Sequence, residues 1–158
     1  MNHPHSKPKT RQLTPVFGVE VEGLSLADAA EGDGFDTLRE LFEAHSALLF
    51  RDQLISDETH LALAGRFGPI EDRLADERKP DEAYTVPKVS NVDNDGNVVP
   101  ETDMHSLNLK ANMLWHADST FLPVPALTNI LVAHVVTSSG GATGLASTRA
   151  AWAAMPLS

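Results

Sequence analysis

The sequence predicts a mainly β fold with flanking helices, built as an antiparallel sandwich or barrel. Three observations carry that reading. Val19, Glu20, Val21 and Glu22 alternate apolar and acidic residues, the period of a half-buried strand. Between Phe35 and Phe67 two stretches carry the apolar spacing and end signals of helices. In the carboxyl half, NILVAHVV, TSSGG and ATGLAS follow one another as strand, turn and strand.

Residues 1–15, MNHPHSKPKTRQLTP, are basic and proline-bearing with no apolar stretch behind them, so they read as a disordered tail and not as a signal peptide or anchor. The domain proper runs over 16–158. VFGVEVEGL is its first strand, ended by Gly23. Phe35, Leu38, Leu41, Phe42 and His45 share one face of a helix, with Arg39, Glu40 and Glu43 on the other. ALLF at 47–50 has the length of a strand and is closed by RDQ. Ser56 offers an N-cap, Asp57 and Glu58 suit the positive end of the helix dipole, and Gly68-Pro69 stops that second helix.

Residues 71–84 are charged and aperiodic, a solvated loop of the kind that also serves as a lid. TVPKVSNV and NVV flank DNDG, a hairpin signal. Residues 100–110 read as a loop leading into a strand at MLWHAD. Pro123 and Pro125 interrupt the chain before the apolar run 126–136, and TRAAWAAM starts a helix. Trp115 and Trp152 are expected to pack in the interior.

Composition narrows the function. The 158 residues suffice for one domain with a real core. With 12 Lys and Arg against 22 Asp and Glu, the net charge of -10 disfavours nucleic acid and anionic membrane surfaces as partners. The absence of cysteine excludes thiolate metal sites, cysteine nucleophiles and disulfides, and fits a reducing cytoplasm. No apolar run approaches the roughly 20 residues of a membrane span, so a soluble chain is expected. Any metal must be held by histidine and carboxylates.

The stretch NMLWHADSTF supplies such a pair. On a strand, His116 and Asp118 project from the same face. One imidazole nitrogen and one carboxylate oxygen make two thirds of a 2-His-1-carboxylate triad, whose open positions suit Fe(II) oxygenases. A lone HxD also arises readily by chance, and a surface histidine beside an aspartate, a zinc hydrolase and a non-catalytic β scaffold stay open on these residues alone. GGATG lacks the spacing of a phosphate-binding loop.

Taken with its surroundings, LWHADSTF resembles the Fe(II)/2-oxoglutarate-dependent dioxygenases of the taurine and 2,4-dichlorophenoxyacetate dioxygenase family. The proline-broken loop, apolar run and SSGGAT follow it in the family's order, and ALLFRDQLISDETHLALAGRFGPIE is similar to the family's amino-terminal signature. VSNVDNDGNVV is closer to the phenoxyacetate branch than to the taurine branch.

That resemblance implies a double-stranded β-helix, or jelly roll, incomplete in this chain. It implies Fe(II) held by His116 and Asp118, with 2-oxoglutarate and O2 as cosubstrates. Thr143 matches the hydroxyl that contacts a 2-oxoglutarate carboxylate, Asn112 matches a position beside the substrate, and Asn91 is assigned to the same pocket. The substrate implied is a small carboxylate: an aryloxyacetate cleaved to a phenol and glyoxylate, with an alkylsulfonate of the taurine type as the alternative. Ala142 departs from the family's usual Asp.

The family's second histidine ligand and its 2-oxoglutarate arginine come beyond Ser158. His134, His105 and Arg149 do not match those positions. The 158 residues are therefore expected to be the amino-terminal part of a catalytic domain, weak in iron binding and inactive alone. Self-association is compatible with the sequence, which does not specify it.

Overall fold

The computed structural model describes residues 7–72, 77–79, 81–93 and 95–156. Residues 1–6 of the expected tail, parts of the charged loop and Asn94 of the expected hairpin turn lie outside the described residues. The chain divides into two compact units, one of Met1–Gly68 with Ile130–Ser158, the other of Pro69–Asn129.

The first unit is organised by a three-stranded sheet, β1 (Lys9–Gln12), β2 (Val19–Glu22) and β3 (Leu48–Leu49), in that order. β1 pairs antiparallel with β2, Lys9 opposite Glu22. β1 corrects the expectation of a disordered tail over residues 9–12. Its sequence KTRQ carries no apolar alternation, because an edge strand needs only backbone pairing to a neighbour. β2 pairs parallel with β3, Val19 opposite Leu48, and a parallel pair requires a crossover. Helices α1 (Leu26–Glu31) and α2 (Phe35–His45) supply it.

α1 escaped the sequence reading although its signals are present: Ser25 Oγ accepts from the Asp28 N–H, and Gly32 ends the helix. Gly34 then turns the chain into α2 at φ 87°, a left-handed conformation that favours glycine. α3 (Asp57–Phe67) has the expected cap, Ser56 Oγ accepting from Thr59 N–H at 3.1 Å, and the expected Gly68 stop. Ala29, Phe35, Leu38 and Leu63 form the core, with Leu24, Leu26, Leu48, Phe50, Phe67 and Ile130 packed around them. The Phe67 ring meets Phe35 and Phe42 edge to face, at centroid distances of 5.0 and 5.7 Å.

Glu20 departs from the simple alternation. Val19 and Val21 are buried as expected, yet Glu20 is also only 7% exposed. Arg11 pairs with one of its oxygens, and Arg51 Nε donates to the other at 3.1 Å. Burial works to raise the Glu20 carboxyl, but the two guanidiniums outweigh it and hold the group below its ordinary value.

The carboxyl part of this unit departs from the expected strands. The run 130–136 and the segment ATGLAS contain no strand; Leu131, Val135, Val136 and Leu145 are exposed. A strand exists only through a ladder partner, and among the described residues none is paired with these segments. Trp152 lies in α5 (Thr148–Ala153), the expected helix, but is 75% exposed and not interior.

In the second unit the expected hairpin reduces to one antiparallel bridge, Val92 to Val98. Asp93 Oδ1 accepts from the N–H groups of Asp95 and Asn97 at 2.9 and 2.8 Å. The Asn97 N–H, against the opposing effect of burial, leads the hydrogen bonds that hold the Asp93 carboxyl below its ordinary value. Residues 104–110 of the expected loop fall within α4 (Met104–Ala111), because Asp103 caps it by accepting from His105 N–H at 2.8 Å. His105 Nε2 meets Ser90 O at 2.6 Å, tying α4 to the hairpin. Among the described residues no helix is long and apolar enough to cross a membrane.

Candidate metal centre

The candidate pair sits where α4 unwinds. Asn112 is the C-cap of α4, its N–H returning to Asn108 O, and the N–H groups of Met113 and Leu114 turn back to Lys110 O and Ala111 O. Residues 115–117 are irregular and 118–121 form a turn. The strand expected over MLWHAD is therefore absent, and Trp115, expected to pack, is 76% exposed. His116 and Asp118 come together by a different route. Ser119 adopts φ 59°, in the left-handed region that non-glycine residues seldom enter, and is buried. Its Oγ donates to Glu71 Oε2 at 2.5 Å. The turn brings His116 Nε2 to 3.2 Å from Asp118 Oδ1, with both side chains about half exposed.

Hydrogen bonding specifies the protons. His116 Nδ1 lies 2.6 Å from Leu114 O. A carbonyl only accepts, so Nδ1 carries hydrogen, and it is then Nε2 that faces the carboxylate, with a bare lone pair whenever the ring is neutral. Two acceptors at that separation require a proton or a cation between them. Metal–nitrogen and metal–oxygen bonds of about 2.1 Å meeting near a right angle place their donor atoms about 3 Å apart, so the observed pair converges suitably on one ion. An imidazole whose other N–H is fixed on a backbone carbonyl is also the usual arrangement of a metal ligand. The residues fit a metal as two donors of a larger set; among the described residues no group of three or more His, Cys, Asp or Glu could hold an ion.

Asn91 is exposed in the second unit, its carbonyl accepting from Val99 N–H at 2.9 Å. Asn112 is exposed at the α4 cap. Thr143 belongs to the first unit, exposed in the irregular segment 141–147. Arg149 Nη1 donates to Glu43 O at 3.0 Å, satisfying a carbonyl of the last turn of α2. His60 Nε2 meets Ile130 O at 3.1 Å, an anchor for the loop that follows. Sequence reasoning missed Asn129, whose Nδ2 donates to Asp118 Oδ2 at 2.7 Å, along with the Ser119 and Glu71 pair. Neither partner carries a local signal, since they lie 11 and 48 positions from their targets.

Comparison with known proteins bears on this geometry. The profile of the family described as taurine catabolism dioxygenase TauD, TfdA family matches residues 9–158. An (S)-phenoxypropionate/alpha-ketoglutarate-dioxygenase of Sphingobium herbicidovorans is 39% identical over 145 residues, covering 90% of this chain and 46% of the relative. An alpha-ketoglutarate-dependent 2,4-dichlorophenoxyacetate dioxygenase of Cupriavidus pinatubonensis is 34% identical over 147 residues, covering 91% and 51%. The crystal structure of AAD-2 in complex with Mn(II) and N-oxalylglycine superposes with a TM-score of 0.58 at 30% identity, covering 76% of this chain and 39% of that one. The chain spans about half the length of the curated relatives it matches.

Proposed function

The chain belongs to the taurine catabolism dioxygenase TauD, TfdA family, and from that premise we propose that its residues serve an Fe(II)- and 2-oxoglutarate-dependent oxygenase acting on a small aryloxyalkanoate. The relatives' names support the substrate class, being dioxygenases of phenoxypropionate and 2,4-dichlorophenoxyacetate. Residues 16–158 then contribute to one catalytic domain built on a double-stranded β-helix, in a cytoplasmic enzyme. Iron with 2-oxoglutarate and oxygen supplies the oxidant, releasing succinate and carbon dioxide as substrate carbon is hydroxylated. With an aryloxyacetate, hydroxylation beside the ether oxygen gives a hemiacetal that collapses to a phenol and glyoxylate.

The observation that carries this reading is the convergence of His116 Nε2 and Asp118 Oδ1 at 3.2 Å, with Nδ1 engaged by Leu114 O. His116 and Asp118 hold the metal, and the Leu114 carbonyl keeps the Nε2 lone pair available to it. Thr143 donates its hydroxyl to a 2-oxoglutarate carboxylate. Ala142 brings no carboxylate of its own beside that bond. Asn112 and Asn91 line the substrate pocket and orient the acid, a contribution of positioning and not of proton transfer.

The test measures anaerobic Fe(II) retention by the chain with and without 2-oxoglutarate, and phenol release from phenoxyacetate in air on the same samples. Tighter Fe(II) retention in the presence of 2-oxoglutarate, lost in His116→Ala, is the expected result. Metal-dependent turnover indifferent to 2-oxoglutarate would replace this reading with a hydrolase.

A further inference from the structure

We propose that Asn129 is the positioning residue of the metal-binding carboxylate, fixing the plane of the Asp118 carboxylate so that one oxygen faces His116. This inference rests on the metal reading above and extends it to a residue outside the HxD motif. The terminal torsion of an aspartate is soft, so a carboxylate on a turn does not hold the direction of its plane unaided. Asn129 fixes that direction: its Nδ2 donates to Oδ2 at 2.7 Å, leaving Oδ1 at 3.2 Å from His116 Nε2. The amide orientation follows from charge, since its carbonyl oxygen would be repelled by the carboxylate.

The arrangement mirrors the one on the histidine. Each member of the pair is held at its far atom by a neutral group, His116 Nδ1 by Leu114 O and Asp118 Oδ2 by Asn129. Neutrality matters, because a lysine or arginine at 129 would pair with the carboxylate and compete with a cation for it. The backbone is fixed independently, by the left-handed Ser119 and its bond to Glu71. Asn129 therefore acts on the direction of the carboxylate alone. It is exposed, so replacing it removes a hydrogen bond without opening a core.

The experiment titrates Co(II) into the full chain, reading affinity and the visible d–d spectrum of the bound ion, for the unchanged protein, Asn129→Leu and His116→Ala. A melting curve for each variant accompanies the titration. Asn129→Leu, with the same branching at Cγ and without a donor, is expected to weaken Co(II) about tenfold or more and to alter the spectrum at an unchanged melting temperature. His116→Ala is expected to abolish binding. If Asn129→Leu keeps both affinity and spectrum while His116→Ala loses the ion, the positioning role is wrong and the metal pair stands. If the unchanged chain takes up no Co(II), or His116→Ala binds it equally well, the metal reading fails and the role of Asn129 falls with it.

Discussion

The helical core around Leu63 and the turn around His116 are stabilised on different terms. Ala29 and Leu63 are at most 2% exposed, and Phe35 and Leu38 of α2 join them in one buried cluster. Between Met113 and Phe121 only Ser119 is buried; Met113, Leu114, Trp115 and Phe121 stand largely in the open. Burial of apolar area holds the first region. Polar contacts hold the second: His116 Nδ1 on Leu114 O, Ser119 Oγ on Glu71 Oε2, Asn129 Nδ2 on one oxygen of Asp118, and His116 Nε2 facing the other. A site arranged in this way can lose its chemistry while the core keeps its stability, and the converse also holds.

The sharpest way to break the contrast is in the core. Leu63→Ala is expected to destabilise the chain by roughly 2–5 kcal/mol, read as a lower urea midpoint. A loss below about 1 kcal/mol would show that the helices do not depend on this packing. Removing the α3 cap with Ser56→Ala is expected to cost about 1 kcal/mol, measured by the same denaturation, with metal affinity unchanged.

The third prediction uses acid. Because Arg11 and Arg51 depress the Glu20 carboxyl, the pair's contribution is complete above the unfolded glutamate value and disappears as pH falls through the lower folded one. Melting temperature should therefore fall on the acid side of the ordinary glutamate range, and Glu20→Gln should fall less steeply. Parallel curves for the two proteins would remove Glu20 from the account.

The smallest effect expected on stability is at the site itself. His116→Ala changes the unfolding free energy measured in urea by no more than about 0.5 kcal/mol, because the ring is half exposed. A large loss would mean that the turn supports the fold.

What the sequence made legible follows the range of the interactions. The β2 strand with Val19 and Val21 buried, the apolar face of α2 and the Ser56 cap with its Gly68 stop are written within a few residues, and the structure carries all three. The caps of α1 and α4, Ser25 and Asp103, are equally local, but the segments behind them are too short to display a helical apolar period. β1 could not be read, since KTRQ becomes a strand only by pairing with β2. The reverse failure occurs at 130–136, where an apolar run of strand composition has no paired neighbour among the described residues.

The site divides in the same way. The sequence alone determined that His116 and Asp118 stand two positions apart in a stretch resembling a dioxygenase family, because that spacing is covalent. Tertiary structure decided how the pair meets: through the left-handed turn at Ser119, with Leu114 O on one ring nitrogen and Asn129 on one carboxylate oxygen. It likewise decided that Glu20 is buried as an ion, because its arginine partners lie 9 and 31 positions away. Hydrogen bonds across such separations depend on where the chain returns in space, and no local pattern of residue types encodes that return.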